Sequence, residues 1–137
     1  MQFLTLEPTL REPETFRCSN DAYKLVSDIS LIDRETCWCL HLDTRLHVIH
    51  RELIAMGNLQ GAVVDARSLF RGALLRNTVA VILAHNHPSG DCTPSAQDIT
   101  LTHQLYKAGE ILGIELLDHI IVGANGYYSF ADSQQLK

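Results

Sequence analysis

The most constraining feature of this chain is a short unbroken apolar run, Val79 to Ala84, cut off at once by His85-Asn86-His87-Pro88-Ser89-Gly90-Asp91. The run is too short for an ordinary helix and rich in β-branched residues, so it predicts a strand covered on both faces. Burying both faces requires a layer above the strand and another below it. With 137 residues, 46% hydrophobic and 20% charged, one domain can supply those layers without metal or disulfide staples.

The covering helices are legible on either side of the run. Ser19-Asn20 is an N-cap signal, and Ala22, Leu25, Val26 and Ile29 recur at helical spacing, predicting an amphipathic helix from about Asp21 to Leu31. Asp65 is a candidate cap for a second helix, Ala66 to Arg76, with Leu69, Phe70, Ala73 and Leu74 inward, Arg67, Arg71 and Arg76 outward, and Asn77 at its end. Thr93 reads as the cap of a third, with Pro94 at its first position, where the missing N–H does no harm. That helix is expected to reach about Leu112, with Leu101, Leu105, Ala108 and Leu112 inward and Gly113 as its stop.

Further strands fill the gaps. Thr36 to Asp43 alternates, with Trp38, Leu40 and Leu42 on one face and the pair Cys37 and Cys39 together on a face, and Leu46 to Leu53 continues extended, as in a β-hairpin. Met56-Gly57-Asn58 and Gln60-Gly61 are turn signals; Ile114 to Val122 and Tyr127 to Phe130 are strands around an Ala124-Asn125-Gly126 turn. Residues 1 to 18, with Pro8 and Pro13, read as an extended arm ahead of a single domain over residues 19 to 137. Strands alternating with helices both early and late predict an α/β sandwich, a mixed sheet between helices.

Charge and cysteine usage narrow the function. The net charge is −5, with nine Lys/Arg against ten Asp/Glu in residues 1 to 77 and two against six thereafter. Nucleic-acid binders neutralise phosphates with a basic patch, and the cluster of Arg67, Arg71 and Arg76 reads instead as a solvated helix face. No apolar run approaches the ~20 residues that cross a bilayer. Met1 to Glu14 carries three Glu and no continuous apolar block, unlike a secretory signal, so a cytoplasmic location is expected. Cys18, Cys37, Cys39 and Cys92 form no CxxC pair and are expected as reduced thiols.

Chemistry concentrates at the end of the buried strand. His85 and His87, two apart in an extended segment, can project both imidazoles to one side. Asp98 follows Ser95 by three residues, so the two share a face near a helix N-terminus. Ligands commonly sit beyond the carboxyl ends of strands in α/β sheets. A His-x-His pair alone is usually a pair of surface or capping histidines. Joined here to an aspartate on a capped helix, it makes a three-ligand set suited to Zn²⁺ with a fourth position open to water.

His85-x-His87-Pro88, six residues, Ser95, two residues and Asp98 resembles the metalloprotease motif of the JAB/MPN (JAMM) domains, and the string AHNHPSGDCTPSAQD looks like the RadC branch of that superfamily. The resemblance covers roughly residues 19 to 131. It implies a JAB/MPN (cytidine-deaminase-like) fold, one catalytic Zn²⁺ held by His85, His87 and Asp98, and hydrolysis of a peptide or isopeptide bond in a protein or peptide substrate. The family also uses an upstream glutamate, and Glu35 stands at the matching point, just before Thr36-Cys37-Trp38, to take a proton from water and pass it to the leaving amine. Glu52 is its competitor. Ser95 would donate its hydroxyl to the substrate carbonyl, besides capping the helix. Cys92, in the loop, is expected to pack inertly, and His41, His47, His50 and His103 are expected to be structural, as is His119, although it follows Asp118 and could sit near the site.

Two other functions stay open. The RadC name suggests a nucleic-acid-associated repair or recombination accessory, although the acidic balance, and the lack of room in 137 residues for the helix-hairpin-helix region of typical RadC chains, speak against it. A non-catalytic binding module on the same fold is disfavoured by the complete ligand set. Substrate specificity would lie in loops around the cleft, Gly57 to Val64 and Ala124 to Tyr128.

Overall fold

A computed structural model describes residues 14 to 57 and 64 to 137. In chain order these form β1 (Glu14–Thr15), α1 (Ser19–Val26) with a 3-10 turn after it (Ser27–Leu31), β2 (Thr36–Leu42), β3 (His47–Met56), α2 (Ala66–Leu75), β4 (Ala80–Asn86), α3 (Ala96–Leu112), β5 (Glu115–Val122) and β6 (Tyr127–Ser129). The strands make one six-stranded sheet in the order β1-β3-β2-β4-β5-β6. The β4/β5 pair is parallel and the others are antiparallel, so the expected mixed α/β sandwich is what forms.

Alternation along the strands divides the interior into two cores. On one face Ala22, Val26 and Ile29 of the α1 region meet Leu40, Leu42, Ile82, Ala84, Ile120 and Val122. On the other, Leu69, Phe70 and Ala73 of α2 and Leu105 of α3 meet Cys37, Cys39, Val81, Leu83 and Leu116. Every residue of β4 is buried, as its unbroken apolar run requires. The four thiols are free, and burial, with the Glu35 and Asp98 charges adding to it, pushes the Cys37 thiol up to about 12.

Several boundaries differ from expectation, each for a local reason. The cap of α1 is Cys18, not Ser19-Asn20: the Asp21 carboxylate reaches back to the N–H groups of Arg17 and Cys18, which leaves the Ser19 hydroxyl for Asp132 and Tyr127. The last residues of the N-terminal arm are not a free linker, since Glu14 and Thr15 pair with Val48 and His47 as an edge strand; residues 1 to 13 lie outside the described part. β3 runs on to Met56, where the N–H of Gly57 donates to the carbonyl of Glu35, and the turn signals Asn58 and Gln60-Gly61 fall outside the described residues. β4 keeps its ladder through His85 and Asn86, so these belong to the strand and not to the loop.

The helix ends follow the same logic. Asp65 caps α2 as expected, in a reciprocal pair with Ser68, and Asn77 takes the left-handed conformation just past its end. The cap of α3 is Ser95 rather than Thr93: its hydroxyl accepts from the N–H of Asp98 while the Asp98 carboxylate accepts from the N–H of Ser95. Thr93 instead turns its hydroxyl and its N–H onto Asp91. Leu74 and Leu112, expected inward, are 58% and 45% exposed. They border a shallow hollow with Ala66 and Phe70, beside the helix pair rather than over the sheet.

Candidate metal centre

Three elements converge at the carboxyl end of β4. His85 lies opposite Cys37 of β2 and beside Ile121 of β5, and the N–H of His87 continues the ladder by donating to the carbonyl of Val122. The loop then curls back at Gly90, whose φ of +93° suits glycine. That turn brings the carbonyl of Asp91 to 2.8 Å from His87 Nδ1. A carbonyl only accepts, so Nδ1 carries a proton, and whenever His87 is neutral its Nε2 is the unprotonated nitrogen.

Asn86, between the two histidines, faces the segment that leads into β2. Its amide nitrogen donates to the carbonyls of Ile32 and Arg34 at 3.3 and 2.9 Å, and its oxygen accepts from the N–H and hydroxyl of Thr36 at 2.8 and 2.6 Å. Glu35 lies inside this clamp. Its Oε2 comes to 4.0 Å from His87 Nε2.

The polar atoms meet at close range. His85 Nε2 and His87 Nε2 are 3.0 Å apart, and the two Asp98 oxygens lie 3.3 Å from the first and 3.2 Å from the second. Zinc bonds of about 2.0–2.1 Å in a tetrahedron place ligand atoms about 3.3 Å apart. The donor set of two imidazoles and one carboxylate therefore fits zinc in both spacing and chemistry. Glu35, His85 and His87 also form a grouping whose candidate ligand atoms all lie within 4.8 Å of one another. The 4.0 Å separation of Glu35 from His87 is longer than a tetrahedral edge and suits a group reaching the open position.

The electrostatics follow from this crowding. Burial alone would raise the Asp98 carboxyl, but the His85 and His87 rings against it, in their charged forms, outweigh burial and hold Asp98 well below the usual carboxylate range. His87 is raised, first by its hydrogen bond to Asp98, against the opposing effect of burial. Beside these groups opens a cleft of about 460 Å³ lined by Glu35, Val64, Gln97, Asp98, Leu101 and Gln104, among others.

Of the residues singled out in the sequence, His85, His87, Asp98 and Glu35 come together, and Ser95 joins them through its bond to Asp98. Glu52 does not: it pairs opposite Cys39, and its carboxylate accepts from His41 Nε2 at 2.9 Å and approaches Arg76 at 3.7 Å. Sequence reasoning passed over Thr102 and assigned His119 a structural role without a partner. His119 Nε2 is 2.7 Å from His85 Nδ1, and its Nδ1 is 2.6 Å from the hydroxyl of Thr102. No local signal marks these contacts, because the residues meet only through the parallel β4/β5 register and the packing of α3.

Comparison with known proteins agrees with this architecture. Residues 16–136 match the family model described as the RadC-like JAB domain. Among curated relatives, a UPF0758 protein of Listeria welshimeri is 43% identical over 90% of this chain and 56% of its own length. Those of Desulforudis audaxviator and Thermotoga maritima are 45% and 40% identical over 90% and 92% of this chain, and 51% and 57% of their own lengths. This chain thus spans about half the length of these relatives. With a match over most of its residues and an α/β sandwich of the JAB/MPN type, the chain belongs to the RadC-like JAB domain family.

Proposed function

We propose that this chain is a zinc-dependent hydrolase that cleaves an amide bond in a protein or peptide. The observation that carries the reading is the convergence of His85 Nε2, His87 Nε2 and the Asp98 carboxylate at 3.0 to 3.3 Å, the spacing and chemistry of three zinc ligands with a fourth position open. A zinc held there would polarise a carbonyl oxygen and make water a nucleophile near neutral pH.

The protein's own groups supply the rest. Glu35, held by the Asn86 clamp at the edge of the cleft, accepts a proton from the attacking water and delivers it to the leaving nitrogen. The Ser95 hydroxyl uses its oxygen to accept in the helix cap, leaving its proton to donate to the carbonyl oxygen as negative charge develops. The described lining of the cleft includes two carboxylates and no Lys or Arg, which favours a neutral amide over a polyanion such as DNA.

Elemental analysis of the purified chain tests the ligand set. The wild type should carry near-stoichiometric zinc, His87→Ala and Asp98→Asn should lose most of it, and Glu35→Gln should keep it. If Asp98→Asn keeps its zinc and Glu35→Gln loses it, the ligands are Glu35, His85 and His87. A panel of peptide and isopeptide substrates, with and without chelator, then tests the activity. Salt-sensitive DNA binding without chelator-sensitive hydrolysis would favour the nucleic-acid reading instead.

A further inference from the structure

We infer that Thr102 and His119 are positioning residues that hold His85 in the tautomer with its proton on Nδ1, leaving Nε2 free as a ligand; the inference rests on the metal-site reading above. The Thr102 hydroxyl anchors the chain of hydrogen bonds. The Thr102 hydroxyl lies 2.7 Å from the carbonyl of Asp98, which only accepts, so the single hydroxyl proton is committed there. Its oxygen can then only accept from His119 Nδ1, 2.6 Å away. His119 must carry its proton on Nδ1.

The other His119 nitrogen follows from burial. The ring is inaccessible, stacked on Phe130 with centroids 4.6 Å apart and planes 6° from parallel. Its described hydrogen-bond partners are one hydroxyl and one imidazole, with no carboxylate among them. An uncompensated charge there would be costly, so the ring is neutral and its Nε2 is an acceptor. At 2.7 Å from it, His85 Nδ1 must donate. In neutral His85 the unprotonated nitrogen is then Nε2, which faces His87 Nε2 and Asp98.

The chain does more than set a proton. Thr102 bonds both to the backbone of Asp98, on α3, and to the ring that holds His85, on β4. One side chain thereby fixes two candidate ligands from different elements relative to each other, as outer partners of metal-binding histidines do.

Long-range ¹H–¹⁵N spectra of the full chain freed of metal report the His85 tautomer directly, and competition with a chromophoric chelator reports zinc affinity. The wild type should show His85 protonated on Nδ1. Thr102→Val should weaken that preference and lower zinc affinity about 10- to 100-fold, and Thr102→Ser should restore both. His119→Gln, whose amide can accept from His85 and donate to Thr102, should stay closer to wild type than His119→Leu. A wild-type His85 protonated on Nε2 overturns the inference, as does a Thr102→Val chain, or should that fail to fold a His119→Leu chain matching His119→Gln, with unchanged tautomer and affinity. A wild type that takes up no zinc yet keeps the Nδ1 tautomer would sink the metal-site reading while upholding the positioning chain.

Discussion

Asn86 sits between two candidate ligands yet spends both halves of its amide on the segment that carries Glu35. Asn86→Ala should leave the N–H of Thr36 and two carbonyls short of partners at a buried site, costing about 1–3 kcal/mol in urea melts; a cost near zero would mean that water replaces the amide. Glu35 is the next residue to test. Given a substrate, Glu35→Gln should keep fold and zinc but lower turnover roughly 10²- to 10⁴-fold, while Glu52→Gln leaves it largely intact. An inactive Glu52→Gln enzyme with its zinc would move the proton transfer to Glu52. The contrast shows what a sequence can carry at this scale. His85, His87, Ser95 and Asp98 were legible because they lie within fourteen consecutive residues. Glu35 was preferred to Glu52 on the family resemblance alone, until the hairpin register put Glu52 opposite Cys39. The contacts of His119 and Thr102 were illegible because neither lies near His85 in the chain.

At the scale of elements, periodicity identified all three helices and the central strands. It failed where an apolar stripe is wider than the surface it covers. Leu74 and Leu112 continue their helical stripes but lie beyond the sheet, while Thr102 and Gly109 take buried places on α3 that apolarity could not flag. Caps were misread where several capping residues stood in a row: Thr93 and Ser95 both qualify, and the reciprocal bond with Asp98 decides for Ser95. Gly109 gives a test of how α3 docks. A Cβ there would sit 2.3 Å from the carbonyl oxygen of Ile114 and 3.3 Å from Phe70 Cζ. Alanine is favoured over glycine inside a helix by up to about 1 kcal/mol, but the backbone carbonyl cannot step aside cheaply. Gly109→Ala should therefore destabilise by about 1–3 kcal/mol, read as a lower urea midpoint; a stabilised variant would mean that α3 rides higher over the strand ends. On the same face, the fully buried Leu105 should cost about 2–5 kcal/mol when replaced by alanine.

Across the whole molecule, the α2/α3 side of the sheet holds a buried histidine in each of two polar clusters. His119 lies in the candidate centre, and His41, bonded to Thr78 and Glu52, lies four residues along β2 from the Cys37 position that faces His85. Burial is the first cause that lowers both rings, so each is neutral in the folded chain at neutral pH. A group with a depressed folded pKa binds more protons unfolded than folded as pH falls below its unfolded value, near 6.5 for histidine. Its stabilising contribution is therefore intact above about pH 6.5 and lost below it, with a slope of at most about 1.4 kcal/mol per pH unit for a wholly buried ring. His50, also lowered first by burial, shares this window and sign, whereas other groups differ. The lowered Asp98 loses its contribution only in stronger acid, the raised His87 acts as pH rises above about 6.5, and Asp118, raised by burial, favours the folded state at low pH. A difference between two chains cancels these backgrounds. Urea midpoints of the metal-free wild type should fall between pH 6.5 and 5 more steeply than those of His119→Gln, which has no proton to gain at that position on unfolding. Parallel profiles for the two chains would mean that His119 is already charged in the folded state, and both its neutrality and the tautomer chain built on it would fall together.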